Sequence, residues 1–254
     1  MADEISGPQV RDAIFAPEST RRLELHGAIR RLRVAALADP EPGNWPHAPS
    51  GLNYRWQPDV PLYAVRFTGA PARVEADRER LRIRYPGWLW SLLGTRSTDL
   101  ALHPYVRWHI AVRGGLGHAD LDLTRLQLGG LDILGGLDRT ELRLPLPTGE
   151  LPVQIRGGAS RLRLVCPRGA ALRVRVDGGV QRLQVDTLRI GSVGGRFAWE
   201  TPGFADNPRR IDLRLRGGVQ DLAVDWPAAD PLSLFDPFAP THLAARPRLF
   251  GGPR

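Results

Sequence analysis

Residues 174–185 read Val174-Arg-Val-Asp-Gly-Gly-Val-Gln-Arg-Leu-Gln-Val185: apolar-x-apolar-x-Gly-Gly, three residues, then apolar-x-apolar. The phrase recurs in Val153-Gln-Ile-Arg-Gly-Gly-Ala-Ser-Arg-Leu-Arg-Leu164 and in Leu213-Arg-Leu-Arg-Gly-Gly-Val-Gln-Asp-Leu-Ala-Val224. Looser copies run from Ile110 to Leu121 and from Leu131 to Leu142. A first copy, Leu23 to Val34, has His26-Gly27 where the pair should be, and Val74 to Ile83 keeps the apolar spacing with no glycine. Alternation with period two gives a strand with one buried and one wet face. The glycine pair takes positive φ without Cβ strain and turns the chain sharply between two short strands.

The pairs begin at Gly114, Gly135, Gly157, Gly178 and Gly217, at intervals of 21, 22, 21 and 39 residues. A fixed period near 21 marks a repeat architecture. The last interval, near twice the others, predicts a degenerate coil around Val193-Gly194-Gly195-Arg196-Phe197. One such unit cannot bury its apolar face alone, so copies stack and build the core between them. The expected fold is all-β, a β-solenoid-like stack of short-strand repeats. A β-sandwich of independent Gly-Gly hairpins is the competing geometry. The repeat domain is placed at 21–226, between a flexible N-terminal segment, 1–20, and a Pro-rich C-terminal tail, 227–254.

Composition agrees. The 254 residues include 28 Gly and 23 Pro. Such a density of breakers excludes a helical bundle or coiled coil, because each interior Gly or Pro costs a helix about 1 or 3 kcal/mol. All 35 basic residues are Arg, against 27 acidic ones, for a net charge of +8. Arg without Lys fits a GC-rich bacterial coding sequence, and the surplus permits anionic partners without naming one. A single cysteine, Cys166, excludes an internal disulfide or a cysteine-rich zinc site and reads as a small, half-buried hydrophobe. The N-terminus shows neither a basic n-region nor an apolar h-region. The densest apolar cluster, Trp88 to Leu93, is far short of the ~18 residues a spanning helix needs. The expected location is cytoplasmic, with peripheral contact at the inner membrane face as its variant.

Three stretches resemble bacterial toast-rack proteins: Arg-Gly-Gly-Ala-Ser-Arg-Leu, Leu142-Arg-Leu-Pro-Leu-Pro-Thr-Gly-Glu-Leu-Pro-Val153, and the insertion from Val193-Gly-Gly to Trp199-Glu-Thr-Pro-Gly-Phe204. These are strand-repeat domains of cell-envelope stress-response and adhesin-like proteins. The resemblance is strongest over about 105–226 and extends more weakly back to residue 21. It implies a non-enzymatic scaffold, associated with membrane or envelope, that assembles with itself or with partners. It transfers no catalytic residue.

The residues themselves point the same way. Among His26, His47, His103, His109, His118 and His242 no pair shows the helical i,i+4 spacing of a zinc site, so no metal ligand and no cofactor is assigned. Gly114-Gly-Leu-Gly117 lacks the Gly-Lys-Ser/Thr ending of a phosphate loop, and no Gly-x-Ser-x-Gly elbow occurs. If stacked coils brought Asp120, Asp122, Asp132 and Asp138 together, they would supply the paired carboxylates of a β-helix carbohydrate-active enzyme. The simpler expectation is a charge ladder, with Arg161 and Arg182 set against Asp120, Glu141 and Asp221 on neighbouring copies.

Two kinds of contact surface are expected. Arg82, Arg84, Arg161, Arg163, Arg173 and Arg175 form a candidate basic face. Aromatics do not interleave with these arginines, which disfavours nucleic acid. Trp88, Leu89, Trp90, Leu92 and Leu93 form a cluster on a loop or short helix, suited to a partner, an anionic membrane or a plug over the stack. Phe235, Phe238 and Phe250 in the tail would cap the last coil or bind in trans. The leading functional expectation is therefore a non-enzymatic scaffold that self-associates or docks a protein. Peripheral binding to an anionic membrane is the alternative, and no small-molecule substrate is identified.

Overall fold

A computed structural model describes residues 3–6, 20–37, 62–69, 72–77, 79–85 and 97–227. Among them are nineteen strands and no helix. Each Gly-Gly phrase supplies two strands. The glycine-paired coils are β8 (Arg107–Arg113) with β9 (Leu116–Asp122), and β10 (Gln127–Leu134) with β11 (Leu137–Arg143). They continue with β12 (Glu150–Arg156) and β13 (Ala159–Val165), then β14 (Ala171–Asp177) and β15 (Val180–Val185). The last is β18 (Arg210–Arg216) with β19 (Val219–Asp225). The His26-Gly27 copy gives β2 (Arg21–His26) and β3 (Ile29–Ala36). A seventh coil, without a glycine pair, joins β6 (Arg80–Arg84) to β7 (Ser97–Leu102).

The first strand of every coil lies in a nine-stranded sheet and the second in a ten-stranded sheet. The strands flanking a glycine pair therefore never bond to each other. They pair in parallel with their counterparts in the coils above and below, as in Val153 opposite Leu131 and Leu213. The structure is thus the solenoid-like stack and not a sandwich of hairpins. Its core fills the space between the sheets: Val153 and Ile155 face Leu162 and Leu164, all at most 2% exposed. Each such side chain contributes about 1.5–3 kcal/mol on burial.

The coils do not stack in chain order. Along the nine-stranded sheet the order is β6, β2, β8, β10, β12, β18, β14. The first and last coils of the chain are therefore inserted one place in from each end. Both ends are then closed by reversed half-coils. At one end β4 (Tyr63–Thr68) and β5 (Arg73–Ala76) run antiparallel to β7 and β6. At the other, β16 (Leu188–Ile190) and β17 (Arg196–Glu200) run antiparallel to β15 and β14.

The degenerate coil expected near Val193 is this second cap. It runs backwards because the turn after Val185, with Asp186 at φ 52°, folds β16 onto its own predecessor. The seven-residue spacing from Val74 to Ile83 is not a coil at all. Val74 and Ile83 face each other across a hairpin within one sheet, whose turn is held by the Asp77 carboxylate accepting the N–H groups of Glu79 (2.8 Å) and Arg80 (2.7 Å). Residues 3–6, left outside the repeat domain on sequence grounds, form β1 (Asp3–Ser6), which pairs with the open edge of β4. A strand edge with unpaired backbone groups recruits any extended segment that reaches it.

Candidate functional site

On each outer face the in-register strands align side chains in straight rows. Arg82 and Arg84 on β6, and Arg173 and Arg175 on β14, lie toward opposite ends of the nine-stranded sheet. Arg161 and Arg163, on β13, lie on the ten-stranded sheet. The six arginines therefore do not form one basic face. Period-two alternation marks them all as outward, but the glycine corner sends the chain to the opposite sheet, so residues before and after it point away from each other.

Most of these arginines are neutralised. Arg82 lies 2.9 Å from Glu24, Arg173 3.0 Å from Glu200, and Arg163 2.9 Å from Asp225. Arg175 reaches Asp212 at 2.5 Å, and Arg161 reaches Asp138 at 3.7 Å. Arg84 alone of the six has no carboxylate within 4.0 Å among the described residues. Trp88, Leu89, Trp90, Leu92 and Leu93 lie in the connection from β6 to β7, outside the described residues, as do Phe235, Phe238 and Phe250.

Two buried carboxylates organise the nine-stranded face, and neither stands out in the sequence. Glu24, on β2, is 5% exposed and draws in Arg22 (3.2 Å), Arg82 and Arg80 (4.0 Å), with His26 at 3.5 Å. Burial alone would push its carboxyl up, but hydrogen bonds from Arg82 and His26 and the charges of Arg80 and Arg82 hold it below the ordinary value. Asp212, on β18, is 2% exposed and is bound by Arg175 and Arg214 (2.8 Å). The available signal was an acid at an outward strand position on a coil rich in arginine. It becomes readable only once the coil order is known.

The outer face of the ten-stranded sheet carries a concavity of about 840 Å³ that spans β9, β11, β13, β19 and β15. Arg139, Arg161, Arg182, Glu141 and Asp221 line it, together with Arg189 and Ile190 on the edge strand β16. The expected charge ladder is present here. Arg182 donates two hydrogen bonds to Asp221, which hold that carboxyl below its ordinary value. Arg143 bridges Glu141 (2.6 Å) and Asp120 (3.0 Å), and Arg33 approaches Asp120 at 3.8 Å. The four aspartates weighed as catalytic do not converge. Asp132 faces away on the other sheet, bonded to His109 at 2.9 Å, while Asp138 pairs with Arg161 and Asp122 with Arg143 at 3.9 Å. Cys166 is fully buried, not half-buried, and burial pushes its thiol up.

No family model matches the chain, and no curated protein matches it. Among solved structures it is similar to a protein from Clostridium sporogenes described as a "putative cell adhesion protein". The TM-score is 0.60 at 13% identity, over 89% of this chain and 99% of that one. At that identity the likeness shows the fold alone, a related all-β architecture. It does not reach the toast-rack family.

Proposed function

We propose that the chain is a non-enzymatic interaction scaffold that docks a partner protein on the outer face of its ten-stranded sheet. The observation that carries this reading is the broad concavity of about 840 Å³ on that face, floored by a rigid parallel ladder. Its arginines and carboxylates are largely paired with each other, which suits a mixed-charge docking surface better than a cleft with a free general acid. The adhesin-like neighbour adds weak support for a role in interaction.

The test uses full-length protein, tagged in its native cells, and an Arg139→Glu/Arg189→Glu variant. Both arginines are exposed, so the variant should melt with the wild type. A specific partner held by the wild type and lost by the variant is the expected result. Equal recovery by both proteins would move docking off this face.

A further inference from the structure

Three outward rows of the nine-stranded sheet hold most of its arginines, and their charges are distributed unequally; a fourth, at the strand ends away from the glycine corners, holds Arg107, Gln127, Glu150 and Arg210. Arg80, Arg22 and Arg173 occupy one row, and Arg82, Arg214 and Arg175 the next. All six have a carboxylate within 4.0 Å, supplied by Glu24, Glu200 or Asp212. The third row lies beside the glycine corners. It runs from Arg73 on β5 to Arg196 on β17 through Arg84, Arg113, Arg156 and Arg216. The positions between these are His26, Leu134 and Asp177.

Only the ends of this row are neutralised: Arg73 by Glu75 at 3.5 Å and Arg196 by Asp177 at 3.5 Å. Arg84, Arg113, Arg156 and Arg216 are exposed and have no carboxylate within 4.0 Å among the described residues. Arg156 and Arg216 stand directly opposite each other, an arrangement of like charges that destabilises a sheet. The acid of this row is Asp177, toward its β17 end; none stands between Arg84 and Arg216.

We propose that this row binds an extended anionic polysaccharide bearing carboxylate or sulfate groups. Parallel, in-register strands from β6 to β18 set the four uncompensated guanidinium groups along one row of about 24 Å, at roughly 4.8 Å per strand. A regular row of that kind fits a ligand whose charges also repeat along a line. Guanidinium forks bind carboxylate and sulfate-type oxyanions through paired hydrogen bonds. No Phe, Tyr or Trp lies in the row, and the lone His26 does not make the stacking platform a single-stranded nucleic acid uses. Leu134, 53% exposed, is its one apolar position, too little to insert into a bilayer. The row lies on the sheet opposite the docking face proposed above and does not depend on that proposal.

The experiment titrates the full-length chain into fluorescently labelled polygalacturonate and follows anisotropy at low and at physiological salt. Dextran, oligo-dT and anionic phosphatidylglycerol vesicles are the comparison probes. Arg113→Gln/Arg156→Gln/Arg216→Gln removes the centre of the row. Arg30→Gln/Arg31→Gln/Arg66→Gln removes the same charge from exposed positions on the ten-stranded sheet, away from the docking concavity, and thermal melting checks that both variants fold. Expected is salt-sensitive binding of polygalacturonate and not dextran, weakened about tenfold or more by the first triple and unchanged by the second. Absence of binding, or equal weakening by both triples, would overturn the proposal. So would tighter binding of oligo-dT or vesicles that the first triple abolishes, since it would give the row to a different polyanion. None of these failures touches docking on the ten-stranded sheet.

Discussion

Gly135 adopts φ +146°, and a Cβ built there would overlap the carbonyl oxygen of Gly114 in the adjacent coil. Gly114 stands in the same relation to Gly27, Gly157 to Gly135, and Gly217 to Gly157. Along this ladder each first glycine also donates its N–H to the next coil, as Gly135 does to Arg156 at 2.9 Å. Positive φ, a ladder hydrogen bond and backbone-to-backbone packing therefore fall on one residue. Gly135→Ala should lower stability by about 3 kcal/mol, combining left-handed strain with a clash that only backbone movement relieves. Gly149, which has open space around it and no positive φ, is the control: Gly149→Ala should stay within about 0.5 kcal/mol. Urea unfolding followed by circular dichroism measures both. Equal midpoints for the two variants would show that the glycine ladder is dispensable.

At the scale of the coil, charge explains an order that the strand phrases leave open. Stacking in chain order would set Asp99 on β7 opposite Asp120 on β9, and Arg161 on β13 opposite Arg182 on β15. The inserted coils prevent both. Arg33 on β3 separates the two aspartates, and Asp221 on β19 separates the two arginines. The buried hubs Glu24 and Asp212 sit on these same inserted coils. Strand, corner and stacking were legible in the sequence because alternation and glycine pairs are local signals. Coil order was not, since an apolar-x-apolar strand packs equally well in any place. For the same reason the basic face could not be assembled from sequence, and the uncompensated arginine row became visible only once the neighbours were known. If charge sets the order, Asp212→Asn with Asp221→Asn should loosen the β14–β15 coil first. The expected loss is about 2 kcal/mol, mostly from Asp212, whose removal leaves Arg175 and Arg214 without their buried counter-charge. Hydrogen exchange should rise in β14 and β15 while β8 to β11 stay protected. A uniform rise along the stack would argue that the pairs carry no positional information.

For the whole molecule the question is what becomes of the stack's ends. An open solenoid offers strand edges to a second copy, which is why self-association is one expectation from sequence. Here each end is turned back on itself, leaving β1 and β16, among the described residues, as the edges of one sheet and β5 and β17 as those of the other. These strands are three to five residues long, and β5 and β17 carry charged outward side chains: Arg73 and Glu75, Arg196 and Glu200. Short, charged edges are poor templates for intermolecular pairing. The protein should therefore show one molar mass by light scattering across a wide concentration range, with no end-to-end growth. Arg196→Val with Glu200→Val leaves β17 an apolar, β-branched edge beside the inward Phe197 and Trp199, and mass should then rise with concentration. Growth of the wild type itself, unaffected by these substitutions, would mean that the reversed half-coils do not close the stack and that assembly runs through its ends.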